Sequence, residues 1–212
     1  MTVEGHRAGA VLGSGAPVAA GRSVRAGVHA TASQVEANRA ALIAILQLAF
    51  SGELAAAYAY RGHARSVADA EEQRQIEQIE REEWHHRELI GRMLSALGAQ
   101  PSRARERRAA AIGRTLGALC HVTGRLAPMY GAGRLESRNV REYESGARLA
   151  RAAGRAEWVD CLLTMAEVEW EHERYFRGRV LAHRLGRCLP LWPAPPPKEN
   201  IRAAAAFQRI EA

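Results

Sequence analysis

Apolar residues recur in steps of three and four along much of the chain, which is the spacing of one face of an α-helix. The clearest stripe runs from Ile76 to Leu97. Such stretches are rich in Ala, Leu, Arg and Glu, which favour helices. The pattern predicts an all-α four-helix bundle built from two helix pairs, with helices from near Ser33 to Ala64, near Val67 to Leu97, Met129 to Ala153, and Arg155 to about Arg184.

Three segments fall outside these helices. Residues 1–30 are rich in Gly and Ala without periodicity, so we expect a flexible N-terminal segment. Residues 101–128 have a helical composition with glycine interruptions at positions 113, 117 and 124, which predicts a connecting helical segment. The bundle would occupy residues 31–186. Residues 187–212 would form a Pro-rich C-terminal tail, extended near 189–197, with a short amphipathic helix from Ile201 to Ala212.

A Glu-Trp-x-His tetrad interrupts two of the apolar stripes, at positions 83–86 and 169–172. Its Glu and His lie three residues apart, hence on one helix face. In the second helix, Glu83 and His86 interrupt a core-facing stripe, whereas the overlapping pair Glu82 and His85 shares a polar face that we expect to be solvated. Burying unpaired charges is costly, so Glu83 and His86 indicate a metal site.

The tetrads belong to a longer repeat. Glu53 lies 30 residues before the first tetrad and Glu136 lies 33 residues before the second, each followed by a Tyr seven positions later, Tyr60 and Tyr143. Glu53 is the one carboxylate in its stripe, but the third helix offers alternatives. We favour Glu136 over Glu142 because its face is apolar and because it alone reproduces the Tyr spacing.

These residues suit a metal centre of a particular kind. A Glu-x-x-His on each of two helices and a lone Glu on each of the other two is the ligand pattern of di-iron carboxylate bundles. Carboxylates and imidazoles without thiolate favour iron, with manganese possible. Glu83 and Glu169 would bridge two metals, and Tyr60 and Tyr143 would be hydrogen-bond partners of the ligands. The predicted ligands are Glu53, Glu83, His86, Glu136, Glu169 and His172.

Composition limits the partners and the cellular location that we expect for the chain. The net charge is +7, and nearly all of the cationic residues are Arg. The densest cluster, at 103–108, has no aromatic residue for base stacking, which disfavours a nucleic-acid partner. No run of 18 apolar residues occurs, so we expect no membrane-spanning helix. The N-terminal stretch is too glycine-rich for a signal peptide. Cys120, Cys161 and Cys188 lack metal-binding spacing, so we expect free thiols and a cytoplasmic location.

The stretch from Ser51 to Ala56, with Tyr60 and Gly62, resembles the first-helix motif of the demethoxyubiquinone hydroxylases of ubiquinone biosynthesis. The resemblance implies a ferritin-like bundle that hydroxylates a quinone ring with O2 at a di-iron centre. A location at the periphery of the inner membrane is compatible with it. In place of the family's apolar surface near the C-terminal end, the fourth helix continues into arginines. The resemblance covers about residues 45–176 and includes Glu83, His86, Gly124, Met129, Glu136, Tyr143, Glu169 and His172.

Three functions remain in view. The first is a di-iron monooxygenase that acts with O2 on a quinone-like or other small hydrophobic substrate, with a variant that modifies tRNA. The second is a ferritin-like or rubrerythrin-like protein that handles iron or peroxide. The third is a metal-free helical interaction module, which the paired Glu and His disfavour. Since no Gly-rich nucleotide loop follows a strand, an external donor must supply electrons. A homo-oligomer is compatible with the sequence.

Overall fold

The computed structural model describes residues 31–207 and shows an all-α protein. The predicted flexible segment at 1–30 and the last residues of the predicted C-terminal helix, 208–212, lie outside the described residues. Short 3-10 turns at Ala156–Trp158 and Gly186–Cys188 lie before and after the helix Val159–Ala182. The described residues form six α-helices: α1 (Ala32–Ser66), α2 (Ala70–Ala96), α3 (Arg103–Leu119), α4 (Leu126–Ala152), α5 (Val159–Ala182) and α6 (Lys198–Phe207).

Helices α1, α2, α4 and α5 form the predicted bundle, in which α1 packs against α2 and α4 packs against α5. The two pairs meet along α1 and α4, which run antiparallel, since Asn38 near the start of α1 donates a hydrogen bond to the Ala152 carbonyl at the end of α4. Helix boundaries follow local chemistry. Asp69 caps α2 by accepting a hydrogen bond from the Glu72 amide, and Gly98, with a φ of 66°, lets the chain turn after it.

The bundle interior consists of two hydrophobic clusters. One lies toward the end where α1 begins and contains Leu42, Ile90 and Leu162. The other lies toward the opposite end and contains Ile76, Met129 and Phe176. Between them the helices bury a layer of charged side chains: Glu53, Glu83, His86, Glu136, Glu169 and His172. The apolar clusters therefore hold the four helices together on both sides of this polar layer.

The connecting segment is a continuous helix, α3, which lies across α1. Gly113 and Gly117, predicted to interrupt it, instead form the contact surface. A Cβ at Gly113 would overlap the backbone of Ala55, and a Cβ at Gly117 would lie 2.9 Å from the Tyr58 carbonyl. These glycines therefore permit a close helix crossing. Gly124 does interrupt the helical backbone: it has a φ of 71° and lies in the turn before α4.

The Pro-rich segment packs on the bundle as a strap over α4 and α5. Trp192 is buried against Gly133, and its indole donates to Glu173 at 2.8 Å. Glu173 is fully buried, and its Oε1 accepts hydrogen bonds from Arg177 and from this indole, whereas its Oε2 has no hydrogen-bond partner within residues 31–207. At the far end of the strap, Ile201 is buried in the core. Residues 189–197 are non-helical, as predicted, but they are not a detached tail.

By length and composition, α1 qualifies as a membrane-spanning helix, contrary to the expectation from the sequence. Its central part carries a single charged residue, Glu53, among alanines and leucines. The same composition suits a central bundle helix, and α1 contacts α2, α3 and α4 along its length. In the most apolar 18-residue window of α1, 44% is buried inside the bundle.

Candidate metal centre

The structure brings all six predicted ligand side chains together in the polar layer of the bundle. Their potential ligand atoms fall into two groups of four, and within each group all atoms lie within 4.8 Å of one another. Glu83 and Glu169 belong to both groups. The first group adds Glu53 and His86, and the second adds Glu136 and His172. This is the arrangement expected of two neighbouring metals with Glu83 and Glu169 between them.

Several atoms of these side chains lack a hydrogen-bond partner among the described residues. Both carboxylate oxygens of Glu83, Oε2 of Glu53 and Nδ1 of His172 are fully buried and make no hydrogen bond within the described part of the chain. Unsatisfied buried polar atoms cost free energy and are uncommon in folded proteins. Four such atoms in one cluster of carboxylates and imidazoles fit a cation site, since a bound cation would satisfy all of them.

The close packing of buried charges shifts the pKa values of the glutamates in the cluster. Burial, followed by the neighbouring carboxylates, raises the pKa of Glu53 and of Glu136 well above the ordinary value. Burial also favours protonated Glu169, but its contacts with Glu136, His172 and His86 outweigh this and hold its pKa well below the ordinary value. Without metal, these shifts favour the protonated forms of Glu53 and Glu136. Cations would displace those protons on binding.

Two tyrosines make hydrogen bonds to the end members of the cluster. The hydroxyl of Tyr60 donates to Oε1 of Glu136, and that of Tyr143 donates to Oε1 of Glu53. Both tyrosines are buried. Tyr60 and Tyr143 are therefore hydrogen-bond partners of two predicted ligands, as the sequence predicts. The second oxygen of Glu53, Oε2, has no hydrogen-bond partner within residues 31–207 and is available to a metal.

Two further residues contact the cluster, and the sequence reasoning did not select them. Glu82 was expected to be solvated, but its Oε2 lies 2.7 Å from Nε2 of His172, and this contact lowers the pKa of Glu82. Asn139 donates to Glu136 at 3.0 Å and to Glu169 at 3.4 Å. A carboxylate on the outer nitrogen of a ligand His fixes its ring orientation and tautomer. Glu82 occupies that position.

On the third bundle helix, α4, the structure places Glu136 in the cluster and Glu142 outside it. Glu142 instead lines a pocket of about 360 Å³ between α1, α3 and α4. Glu53, Asn139 and Tyr143 line the same pocket, so it opens onto the cluster. Exposed arginines from α3 and α4, Arg105, Arg108 and Arg138, line it as well. This metal pocket therefore borders the cluster on the Glu53 side.

Comparison with protein families matches residues 40–148, about half of the chain, to the family model described as Ubiquinone biosynthesis protein COQ7. The matched range contains Glu53, Glu83, His86 and Glu136, whereas the tetrad on α5 lies beyond it. Comparison with curated proteins and with solved structures gave no match.

Proposed function

The chain belongs to the COQ7 family of ubiquinone biosynthesis proteins, and from this membership we propose that it is a di-iron, O2-dependent hydroxylase of a quinone-like or other small hydrophobic substrate. The family consists of hydroxylases of ubiquinone biosynthesis and is generally di-iron, so the chain is an enzyme. The membership agrees with the resemblance seen in the first-helix motif.

The observation that carries the proposal is the set of unsatisfied atoms between the four bundle helices. Glu83 has both oxygens buried without a hydrogen bond, in the middle of the two four-residue groups. Four carboxylates balance the charge of two divalent cations, so a loaded site would be close to neutral inside the protein. The absence of thiolate from the cluster favours iron or manganese over softer metals.

Two ferrous ions bound there would supply two electrons for the reduction of O2 and the oxidising power that hydroxylation needs. The chain's own part is to fix the ligands and exclude water. Tyr60 and Tyr143 hold the end carboxylates, Glu82 orients His172, and the two hydrophobic clusters keep solvent from the layer. Access is left through the metal pocket, whose wall includes Glu53 and Tyr143.

The surface around this pocket supports a hydrophobic substrate that arrives from a membrane. On α3, Ile112, Leu116 and Leu119 are 45%, 48% and 44% exposed, and Val122 just beyond the helix is 78% exposed. Arginines flank this strip, a combination that suits anionic lipid surfaces. We expect the protein to co-sediment with anionic vesicles and to lose that binding when Leu116 and Val122 are replaced by Asp.

The electron donor is external to the chain in this proposal. A reduced small molecule or a partner protein would reach the centre from outside, because the sequence offers no nucleotide-binding loop. The basic charge of the chain does not by itself select a tRNA substrate, since the arginine cluster lacks stacking aromatics.

The experiment that tests the proposal is oxygen consumption by the iron-loaded chain with a short-chain demethoxyubiquinol. A hydroxylase consumes O2 when the quinol is present and places one oxygen atom from isotopically labelled O2 in the product, and Glu83→Gln abolishes this. Turnover of peroxide without the quinol, or growth of an iron mineral, would instead support an iron- or peroxide-handling protein. Rescue of a bacterial strain that lacks the hydroxylase is the matching test in cells.

A further inference from the structure

The metal pocket carries more positive charge than a neutral substrate requires. Three arginines line it, Arg105 and Arg108 from α3 and Arg138 from α4. Among the described residues that line it, Glu142 is the one carboxylate outside the metal cluster. Burial raises the pKa of Glu142, and the neighbouring charge of Arg138 opposes this shift. Since Glu142 interacts with Arg138, no other carboxylate of the described wall remains for Arg105 and Arg108.

Neither of these two guanidinium groups is engaged elsewhere in the part of the chain that the structure describes. The side chains of Arg105 and Arg108 make no hydrogen bond or ion pair with residues 31–207. Glu106 lies between them in the sequence, but it pairs with Arg87 and accepts a hydrogen bond from the Ser51 hydroxyl. Arg105 and Arg108 are both exposed, so they remain available to a bound anion.

The rest of the pocket suits an apolar molecule of one or two rings. Its volume is about 360 Å³, at the lower end of the range for ligand sites. Its uncharged polar side chains are already used, since Ser51 donates to Glu106, Asn139 to Glu136 and Tyr143 to Glu53. The apolar lining residues include Leu48, Ala109, Ile112 and Leu135. A ligand in this pocket would therefore meet apolar walls and two unpaired guanidinium groups.

We propose that the metal pocket binds a small carboxylic acid with an apolar ring, and that Arg105 and Arg108 hold its carboxylate. Guanidinium groups bind carboxylates through paired, charge-assisted hydrogen bonds, which are stronger than those between neutral groups. Glu53 and Tyr143 line the same pocket, so the ring would lie beside the metal cluster. Such an acid is the substrate class of the proposed hydroxylase function, on which this assignment rests.

Calorimetric titration of the iron-free full chain with 2-naphthoate and 2-naphthamide tests the proposal. The two probes have nearly the same shape and differ in charge, and without iron the carboxylate has no metal to bind. Charge-assisted hydrogen bonds to the two guanidinium groups should make 2-naphthoate bind about tenfold more tightly than 2-naphthamide. Equal affinity of the native chain for both probes would overturn the proposal.

Arg108→Gln and Arg107→Gln are a matched pair of variants, because each removes one positive charge from an exposed position of α3. Arg108 lines the pocket, whereas helical periodicity places Arg107 on the other side of α3, and it is absent from the wall. Arg108→Gln, like Arg105→Gln, should bind 2-naphthoate about tenfold more weakly and leave 2-naphthamide binding within about twofold. Arg107→Gln should match the native chain. An equal loss in Arg107→Gln and Arg108→Gln would show general attraction to a basic surface and contradict the assignment.

Oxygen consumption by the iron-loaded chain separates the acid site from the proposed hydroxylase function. A chain that consumes O2 with the neutral demethoxyubiquinol but binds both naphthalene probes equally is a hydroxylase without the acid site. A chain that prefers 2-naphthoate through Arg108 but consumes no O2 with the quinol or with 2-naphthoate has the acid site without the hydroxylase. When both are present, 2-naphthoate should inhibit quinol-dependent O2 consumption about tenfold less effectively in Arg108→Gln than in the native chain.

Discussion

The Tyr60 hydroxyl on α1 donates a hydrogen bond to Glu136 on α4, and the same contact recurs in mirror form between Tyr143 on α4 and Glu53 on α1. Each tyrosine thus contacts the glutamate of the other repeat. Because α1 and α4 run antiparallel, a Tyr seven residues after each Glu faces the opposite Glu. The repeated Glu-to-Tyr spacing is therefore a consequence of how the two helix pairs meet.

Replacing Tyr60 by Phe should weaken iron binding by about 10- to 100-fold, the usual effect of losing a hydrogen-bond partner of a metal ligand. Phe retains the ring that stacks on Phe176. Iron affinity would be measured by competition with a chelator. Tyr58→Phe is the matched control, since the Tyr58 hydroxyl contacts Arg114 at the surface. If both variants bind iron as the native chain does, the hydrogen bond to Glu136 does not support the metal site.

Glu82→Gln should reduce the affinity for one of the two metals by about tenfold, because His172 would lose the carboxylate that orients its ring. Glu88→Gln on the same helix is the control, as Glu88 pairs with Arg92 at the surface. Stepwise iron titration distinguishes the two metals. A Glu82→Gln titration that superimposes on that of Glu88→Gln would assign Glu82 to the surface after all.

The stability of the iron-free protein should fall as the pH rises above about 6.5. The folded-state pKa values of Glu53, Glu136 and His172 are raised, so the folded chain holds more protons than the unfolded chain, and raising the pH costs stability. Glu169 and His63, whose pKa values are lowered, act oppositely, but their contributions are lost only on acidification below this window.

Urea denaturation at a series of pH values measures this trend. Iron should abolish it, because bound cations displace the same protons, and iron affinity should rise with pH. Stability that increases with pH in the iron-free chain would show that the cluster does not retain its protons.

Gly133→Ala should destabilise the protein by about 1–3 kcal/mol, the usual cost of overpacking. The added Cβ would overlap the indole of Trp192 and approach Phe176 to 3.1 Å, and so displace the strap. Gly131→Ala, two residues earlier on α4, meets no atom within 4 Å and should be neutral or slightly stabilising. Thermal unfolding of the two variants gives the comparison. Equal unfolding midpoints would mean that the strap is not held at Gly133.

Much of this arrangement could be predicted from the sequence, because helical periodicity marks the buried face of each bundle helix. The period placed Glu83 and His86 on a buried seam, and the Tyr spacing favoured Glu136 over Glu142. The six residues do come together in the structure. Those inferences needed only the periodicity within each helix and the repeated spacing of Glu and Tyr.

What escaped prediction depends on contacts between segments distant in the sequence. Glu82 lies off the seam of its own helix, and only the approach of α5 brings it to His172. Gly113 and Gly117 read as helix interruptions because a single sequence does not reveal that α1 lies against them. The burial of Glu173 depends on Trp192, which lies in the Pro-rich segment. Periodicity reports which side of a helix is buried, but not which segment covers the other side.

The central claim is that four carboxylates and two imidazoles hold two iron ions. Its most direct test is the iron content of the anaerobically reconstituted full chain, with Glu88→Gln as a surface control. We expect about two iron ions per chain, as in di-iron carboxylate bundles, and a loss of both in Glu83→Ala, because Glu83 belongs to both groups. Two tightly bound ions in Glu83→Ala, or none in the native chain, would contradict the claim.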